Sequence, residues 1–309
     1  MDGEVKVSVF CLAYNHEDYI RDCLDGFVMQ KTNFKFEVLI HDDASTDKTA
    51  DIIREYQNAY PDLIKPIYQT ENQYSKGIKI TKTYLLPAMN GEYIAFCEGD
   101  DYWTDPFKLQ KQYDYMKEHK ECSLCVHRTK IDYIESNRSK IIPDIGSERE
   151  YTVSEIIKGH GSLFSTNSFF CRKEVIAEQP ECFYAKGFGD YQKMIYASLI
   201  GKCVCLYDVM SVYRCGTRGS WTNSVFNVKE KRIAHNKELI SLLQRINSYS
   251  EEKYCNEINT VIKETEFEIL VLQENFSKAK KEPYKDLWKK HKTNELKKKI
   301  KGFFRLLYK

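Results

Sequence analysis

The chain has 309 residues, 42% of them hydrophobic, enough to bury one substantial core and a smaller appendage, which excludes a mostly disordered protein. Its formal charge of +2 hides an asymmetry: residues 223–309 carry 20 Lys/Arg against 12 Asp/Glu, residues 1–222 carry 27 against 33, so the two parts are expected to meet different partners. No apolar run approaches the ~20 residues that span a bilayer, no signal-like run opens the chain, and the 11 Cys, an odd number scattered through element-like segments, read as reduced thiols of a cytoplasmic protein. Cys122, Cys125 and His127 have zinc-like spacing, but no second pair follows at a finger-like distance.

In chain order, Val5 to Leu12 is rich in β-branched residues and predicts a strand; after Asn15, read as a helix cap, Ile20, Cys23, Leu24 and Phe27 recur at helical spacing. Phe36 to Ile40 predicts a second strand ending at Asp42-Asp43, with Ser45 or Asp47 capping a helix whose inward face is Ala50, Ile53 and Tyr56. A short strand at Ile64 to Tyr68, a helix around Thr81 to Met89 and a strand at Tyr93 to Cys97 follow. Strands alternating with helices argue for a largely parallel α/β sheet covered on both faces, with ligands bound beyond the carboxyl ends of the strands. Three such ends deliver polar groups: Tyr14-Asn15, Asp42-Asp43, and Glu98-Gly99-Asp100-Asp101. The last packs three carboxylates together, which is repulsive unless a cation holds them; a hard divalent metal takes oxygen ligands and shares them with substrate phosphates. A plain acidic turn, with Asp100 or Asp101 capping the next element, is the alternative.

These stretches, in this order over about residues 5–221, resemble the family 2 glycosyltransferases with the GT-A fold, of the bacterial surface-polysaccharide type. The parts that carry the resemblance are Tyr14-Asn15-His16-Glu17, Asp42-Asp43-Ala44-Ser45-Thr46-Asp47, and Glu98 to Asp101 followed by Asp105-Pro106. The resemblance implies a Rossmann-like nucleotide-sugar-binding domain with a mixed, mostly parallel sheet at residues 1–222. It assigns Tyr14 to packing along the nucleotide base, Asp43 with Asp42 to hydrogen bonds with it, Glu17 to the same nucleotide loop, and Asp100 and Asp101 to the ribose and the metal. Many relatives carry Asp where this chain has Glu98, whose extra methylene puts its direct contact with Mn²⁺ or Mg²⁺ in question, and Asp101 is the first choice as ligand. Gly187-Phe188-Gly189-Asp190 looks like the family's loop-to-helix signature, making Asp190 the candidate base for an inverting transfer; helix capping is its bland reading. Val209 to Trp221 resembles the closing loop after the last strand, in which Arg214 and Arg218 are suited to the diphosphate, although Cys215 stands where many relatives have His. Thr166 to Arg172 reads as a core strand with polar residues at its start.

Beyond Trp221 the resemblance ends and a helical extension, residues 223–309, begins. Ile233, Leu239, Ile240, Leu243 and Ile246 suggest one amphipathic helix, and Ile258, Ile262, Phe267, Ile269, Leu270 and Leu272 another, packing on the catalytic domain or on a second subunit of a homodimer. The last 25 residues hold ten Lys/Arg against two acids, with Leu296, Ile300, Phe303, Phe304 and Leu307 along one face, a pattern suited to an anionic membrane surface, the inner face of the plasma membrane. No nucleic-acid-reading motif accompanies it. The sequence thus points to a metal-dependent, inverting glycosyltransferase that takes a sugar from a nucleoside-diphosphate donor, UDP by family analogy, to a glycan or lipid-linked acceptor. A sugar nucleotidylyltransferase would want a Gly-rich loop with a basic residue near the first strand, absent from residues 11–17; a degenerate nucleotide-sugar-binding scaffold would hold the nucleotide without consuming it.

Overall fold

In the computed structural model, which describes residues 3–136, 138–217, 225 and 228–294, ten strands form one sheet: β1 Val5–Ala13, β2 Lys35–Asp42, β3 Ile64–Tyr68, β4 Tyr93–Phe96, β5 Tyr102–Trp103, β6 Cys122–Tyr133, β7 Arg138–Ile142, β8 Arg149–Tyr151, β9 Phe170–Arg172 and β10 Lys202–Cys215. The order is β3-β2-β1-β4-β9-β6-β10-β5, with β7 paired to β6 and β8 to β10. Strands β3, β2, β1 and β4 run parallel. β9 enters antiparallel to both β4 and β6, and β10 runs parallel to β6. The carboxyl ends of β1, β2, β4, β6 and β10 therefore all reach one edge of a mixed, mostly parallel α/β sheet, as expected for the GT-A architecture.

The helices of this part are α1 Ile20–Val28, α2 Thr49–Ala59, α3 Leu86–Ala88, α4 Lys108–Glu118, α5 Val153–Gly159, α6 Glu174–Ala177 and α7 Gly189–Ile200. Ile20, Cys23, Leu24 and Phe27 of α1 are fully buried against Val7, Val9 and Cys11 of β1, which is why their helical spacing was readable. On α2 the inward face is Thr49, Ile52 and Ile53 with Tyr56 at its border, not Ala50. The Thr81 to Met89 segment is a single wide turn, Thr81–Leu85, running into α3. Thr166 to Ser168 is a tight turn ahead of the short β9. One buried polar knot fixes the entry to β4: Ser8 Oγ donates to Glu37 Oε1 at 2.6 Å, Asn90 N donates to the same oxygen at 2.7 Å, and Gly91 N donates to Ser8 Oγ at 3.0 Å. A Cβ on Gly91 would stand 2.5 Å from Ser8 N, so this approach admits only glycine.

Contacts divide the chain into two compact units, Met1–Asn223 and Ser224–Lys309. In the second, helices Lys229–Tyr249 and Cys255–Leu272 pack together through Leu239, Leu242, Leu243 and Ile246 on one and Ile258, Val261 and Leu270 on the other. Thr265 sits inside that stripe because its hydroxyl donates to Val261 O at 2.8 Å and so is not left unsatisfied. A satellite cluster of Phe267, Leu270, Ala279 and Tyr284 continues it. Leu296, Ile300, Phe303, Phe304 and Leu307 lie outside the described residues. Among the described residues no helix is long and apolar enough to cross a membrane.

Candidate active site

The loops after β1 and β2 are laced into one structure. Asn15 and Ala44 both take left-handed backbone conformations (φ 56° and 62°), and asparagine is one of the few side chains that tolerates this because its amide can bond locally. Asn15 is thus not a helix cap: its Oδ1 accepts from Thr46 N at 2.8 Å and its N donates to Ser45 Oγ at 2.9 Å. His16 N donates to Thr49 Oγ1 at 2.7 Å, Glu17 N to Asp47 Oδ2 at 3.1 Å, and Lys48 N to Glu17 Oε2 at 3.1 Å. Tyr14 stands at the head of this lace with its ring 45% exposed, a free aromatic face at the carboxyl edge of β1.

Asp42 and Asp43 point to different tasks. Both carboxylate oxygens of the buried Asp43 accept backbone donors, Gln73 N at 2.7 Å and Tyr74 N at 3.0 Å, so this residue holds the 72–75 turn against the strand end. Asp42 is also buried; its Oδ2 accepts from Ser45 N at 3.3 Å while its Oδ1 has no partner. Just before them, His41 is fully buried beside the Tyr84 ring at 5.1 Å, with both ring nitrogens unpaired; burial lowers its pKa, partly opposed by Asp43 and Asp42.

Glu98 to Asp101, one residue past β4, are divided by burial. Gly99 N donates to Leu12 O at 2.9 Å, and a Cβ there would lie 2.8 Å from His16 Nδ1 and 3.0 Å from Ile20 Cδ1, so the middle residue of Glu98-Gly99-Asp100 is fixed by contact with the loop after β1. Asp101, the expected first ligand, is fully buried and both its oxygens are engaged: Asn167 Nδ2 donates to Oδ2 at 3.1 Å and Arg214 N donates to Oδ1 at 2.9 Å. Burial, with Asp100 beside it, pushes its carboxyl well above the ordinary range despite those two donors. Asn167, which the sequence left at the start of a core strand, is the hub of this knot: it also donates to Val212 O at 2.9 Å and accepts from Ser211 Oγ at 2.8 Å. Asp100 is half-buried and more accessible; Thr217 Oγ1 donates to its Oδ2 at 2.9 Å. Arg214 is committed elsewhere, ion-paired to Asp22, donating to Asp100 O at 3.1 Å and packed over the Tyr102 ring at 4.4 Å. Arg218 lies outside the described residues.

Across the crevice, Gly187 takes φ 86° and turns the chain into α7, whose first turn carries Asp190. The half-buried Asp190 carboxylate caps nothing and has no hydrogen bond or ion pair among the described residues. Its field reaches Glu98: burial first, then Asp190 and Asp100, push the Glu98 carboxyl up to about 8, with Lys193 opposing them. Lys193, one turn along α7 from Asp190, places its amine 4.9 Å over the Phe96 ring. It was missed in the sequence, although a lysine three residues after the base candidate shares its helical face. Among the described residues no three His, Cys, Asp or Glu side chains converge as a ready-made metal cage. The donor set nevertheless fits Mn²⁺ or Mg²⁺: one or two hard oxygens from Asp100 and Glu98 suffice for an ion that shares substrate phosphates, and a cation would offset the burial and the neighbouring acids that raise Glu98.

The signature of glycosyl transferase family 2 matches residues 8–178. The uncharacterized protein Rv1520 of Mycobacterium tuberculosis (strain ATCC 25618 / H37Rv) is 36% identical over 215 residues, 70% of this chain and 60% of its own length, so the chain spans about three fifths of that relative. The putative teichuronic acid biosynthesis glycosyltransferase TuaG of Bacillus subtilis (strain 168) is 36% identical over 112 residues, 36% of this chain and 42% of TuaG. Among solved structures, S. aureus TarS 1–349 in complex with UDP-GlcNAc matches with a TM-score of 0.61 at 20% identity, over 88% of this chain and 73% of that one, a likeness of fold.

Proposed function

The chain belongs to glycosyl transferase family 2, of the surface-polysaccharide type, and on that premise we propose that it moves a sugar from a nucleoside-diphosphate sugar, a UDP-sugar before others, to a hydroxyl of a growing glycan or a lipid-linked acceptor, with inversion and with Mn²⁺ or Mg²⁺ bound. The observation that carries this reading is the Asp190 carboxylate, without a hydrogen bond or ion pair among the described residues, near enough to Glu98 for its charge to help push that carboxyl up. A carboxylate free of internal partners beside the acidic cluster after β4 suits a general base opposite a leaving diphosphate.

In this reading Asp190 accepts the proton of the acceptor hydroxyl as its oxygen bonds to the anomeric carbon, and the bond from that carbon to the diphosphate oxygen breaks. Tyr14 offers its exposed face to the nucleotide base. Asp42, Asp43 and Glu17 shape and line the base and ribose pocket, Asp100 faces the ribose and the metal, and Arg218 serves the diphosphate. The metal would be held by Asp100 with Glu98, and it supplies charge stabilisation for the leaving diphosphate. Asp101, fully buried and with one donor on each oxygen, holds β10 in this reading, and Asp100 with Glu98 lies nearer the ion. The enzyme is cytoplasmic on this reading, with the basic tail of residues 285–309 resting on anionic lipid.

A thermal-shift screen of nucleoside diphosphates and their sugars, with and without Mn²⁺, tests the donor half, because a ligand of the folded state raises apparent stability with its affinity. A metal-dependent rise with UDP, larger with one UDP-sugar, is expected. A flat response to every nucleotide in the presence of metal would remove the donor assignment.

A further inference from the structure

The 72–75 turn held by Asp43 and the turn into α7 are joined directly. Lys186, ahead of α7, donates from its amine to Tyr74 O at 3.3 Å, and the same ammonium lies 4.8 Å over the Tyr74 ring. Two more lysines cross beside it. Lys82 donates to Gln179 O at 2.8 Å, and Lys79 is ion-paired to Glu181 with its amine 4.1 Å over the Tyr184 ring. Segments 74–82 and 179–186 are thus tied through lysine side chains at three points.

Of these crossings, Lys186 has the shortest path to Asp190. On one side, the two oxygens of Asp43 accept from Gln73 N and Tyr74 N, so Tyr74 is fixed to the strand end that opens the nucleotide loop. On the other, Ala185 N donates to Gln192 Oε1 at 2.9 Å, which fixes the residue before Lys186 to α7, and Gly187 turns the chain into that helix. Asp190 stands in its first turn, four residues after Lys186. Lys186 is exposed and has no carboxylate partner among the described residues; its amine meets the carbonyl and the ring of one residue. A long exposed side chain held at a single residue by two contacts fixes the distance between the turns that carry them, and a contiguous run of contacts of this kind can couple two sites.

We infer that Lys186 is a positioning residue for Asp190: it locks the turn that aims the base to the turn held by the nucleotide loop, so that a nucleotide bound on the first side steadies the base on the second. The inference rests on the glycosyltransferase reading above and adds to it a residue that acts through Asp190.

Amide hydrogen exchange of the full chain, with and without UDP and Mn²⁺, tests it. UDP should slow exchange about threefold or more both in the 72–75 turn and in residues 184–192. In K186M the protection of 184–192 should be lost while that of 72–75 remains. K186R should bring it back, because a guanidinium also donates to a carbonyl and stacks on a ring. Since Lys186 is exposed, K186M should keep the thermal midpoint of the free protein. Hydrolysis of UDP-glucose, followed as released UDP, reads the consequence: kcat should fall about fivefold in K186M with KM changed less than about twofold. Protection of 184–192 that survives in K186M, or that K186R fails to restore, overturns the positioning role. So does a raised KM with kcat intact, because Lys186 would then meet the donor itself. Protection of 72–75 alone in the unmodified chain sinks the coupling and leaves the donor reading standing; protection of neither segment sinks the donor reading and the inference with it.

Discussion

The two sides of the crevice differ in how their polar groups are used. On the side of β1 and β2, Asn15, Glu17, Asp43, Asp47 and Thr49 all have partners within the protein, most of them backbone amides. On the side of α7, the Asp190 carboxylate has no hydrogen bond or ion pair among the described residues. A paired side chain holds shape, since breaking the pair strands a donor or acceptor; an unpaired one near an open crevice is available to a ligand. On the proposed reading, the first side holds the nucleotide loop in shape and the base works from the second.

The largest test of that division is Asp190→Asn. Transfer should fall about 10²- to 10⁴-fold, the usual worth of a positioned base, while the affinity for UDP measured by calorimetry changes less than twofold. Loss of nucleotide affinity would move Asp190 to the donor side and erase the contrast. Next in size is Asp101→Ala, which strands the amide of Arg214 and the side chain of Asn167 in a fully buried knot. Each unsatisfied donor costs about 1–3 kcal/mol, so urea unfolding should show a loss of about 3 kcal/mol. A variant that keeps its stability but loses metal binding would return Asp101 to the ligand role expected from the sequence.

A third test concerns the floor beneath both sides. Lys108 is fully buried, its amine donating to Gln112 Oε1 at 2.7 Å and lying 4.1 Å over the Trp103 ring. Burial lowers its pKa to about 7 from an ordinary 10.5. The unfolded chain keeps this proton up to about 10.5 and the fold gives it up near 7; between those values the unfolded state holds more protons and stability rises with pH, by up to about 1.4 kcal/mol per unit. Lys108→Met should flatten that slope between pH 7 and 9. An unchanged slope would mean that Lys108 stays charged in the fold.

How much of this was legible in the chain follows from the range of the contacts. The α1 spacing, the strand ends and their shared edge rest on local periodicity, and the sheet formed as that pattern required. The fate of Asp101 was not readable, because its partners lie 66 and 113 residues away and nothing near it in sequence announces a buried carboxylate. Asn15 misled for a related reason: before a helical run it has the composition of a cap, and only the neighbouring loop at Thr46 turns it into a lace. On α2 and in the second unit, buried Thr49 and Thr265 shifted the inward face by one position from the purely apolar reading, since a threonine whose hydroxyl is satisfied packs like a hydrophobic residue.

Glu17 carries the smallest effect and the sharpest discrimination. Its carboxylate is exposed and accepts from Lys48 N at 3.1 Å, which binds the loop after β1 to the start of α2. If that is its whole task, an uncharged oxygen at the same place will serve. Glu17→Ala should weaken UDP affinity two- to fivefold, about 0.5–1 kcal/mol, by loosening the loop that carries Tyr14. Glu17→Gln should restore it, because the amide oxygen can accept the same hydrogen bond. A glutamine variant as weak as the alanine one, measured in the same titration, would show that the charge itself meets the nucleotide or its metal. Glu17 would then join Asp190 among the groups kept for ligands, and the line between the two sides of the crevice would run through the first loop.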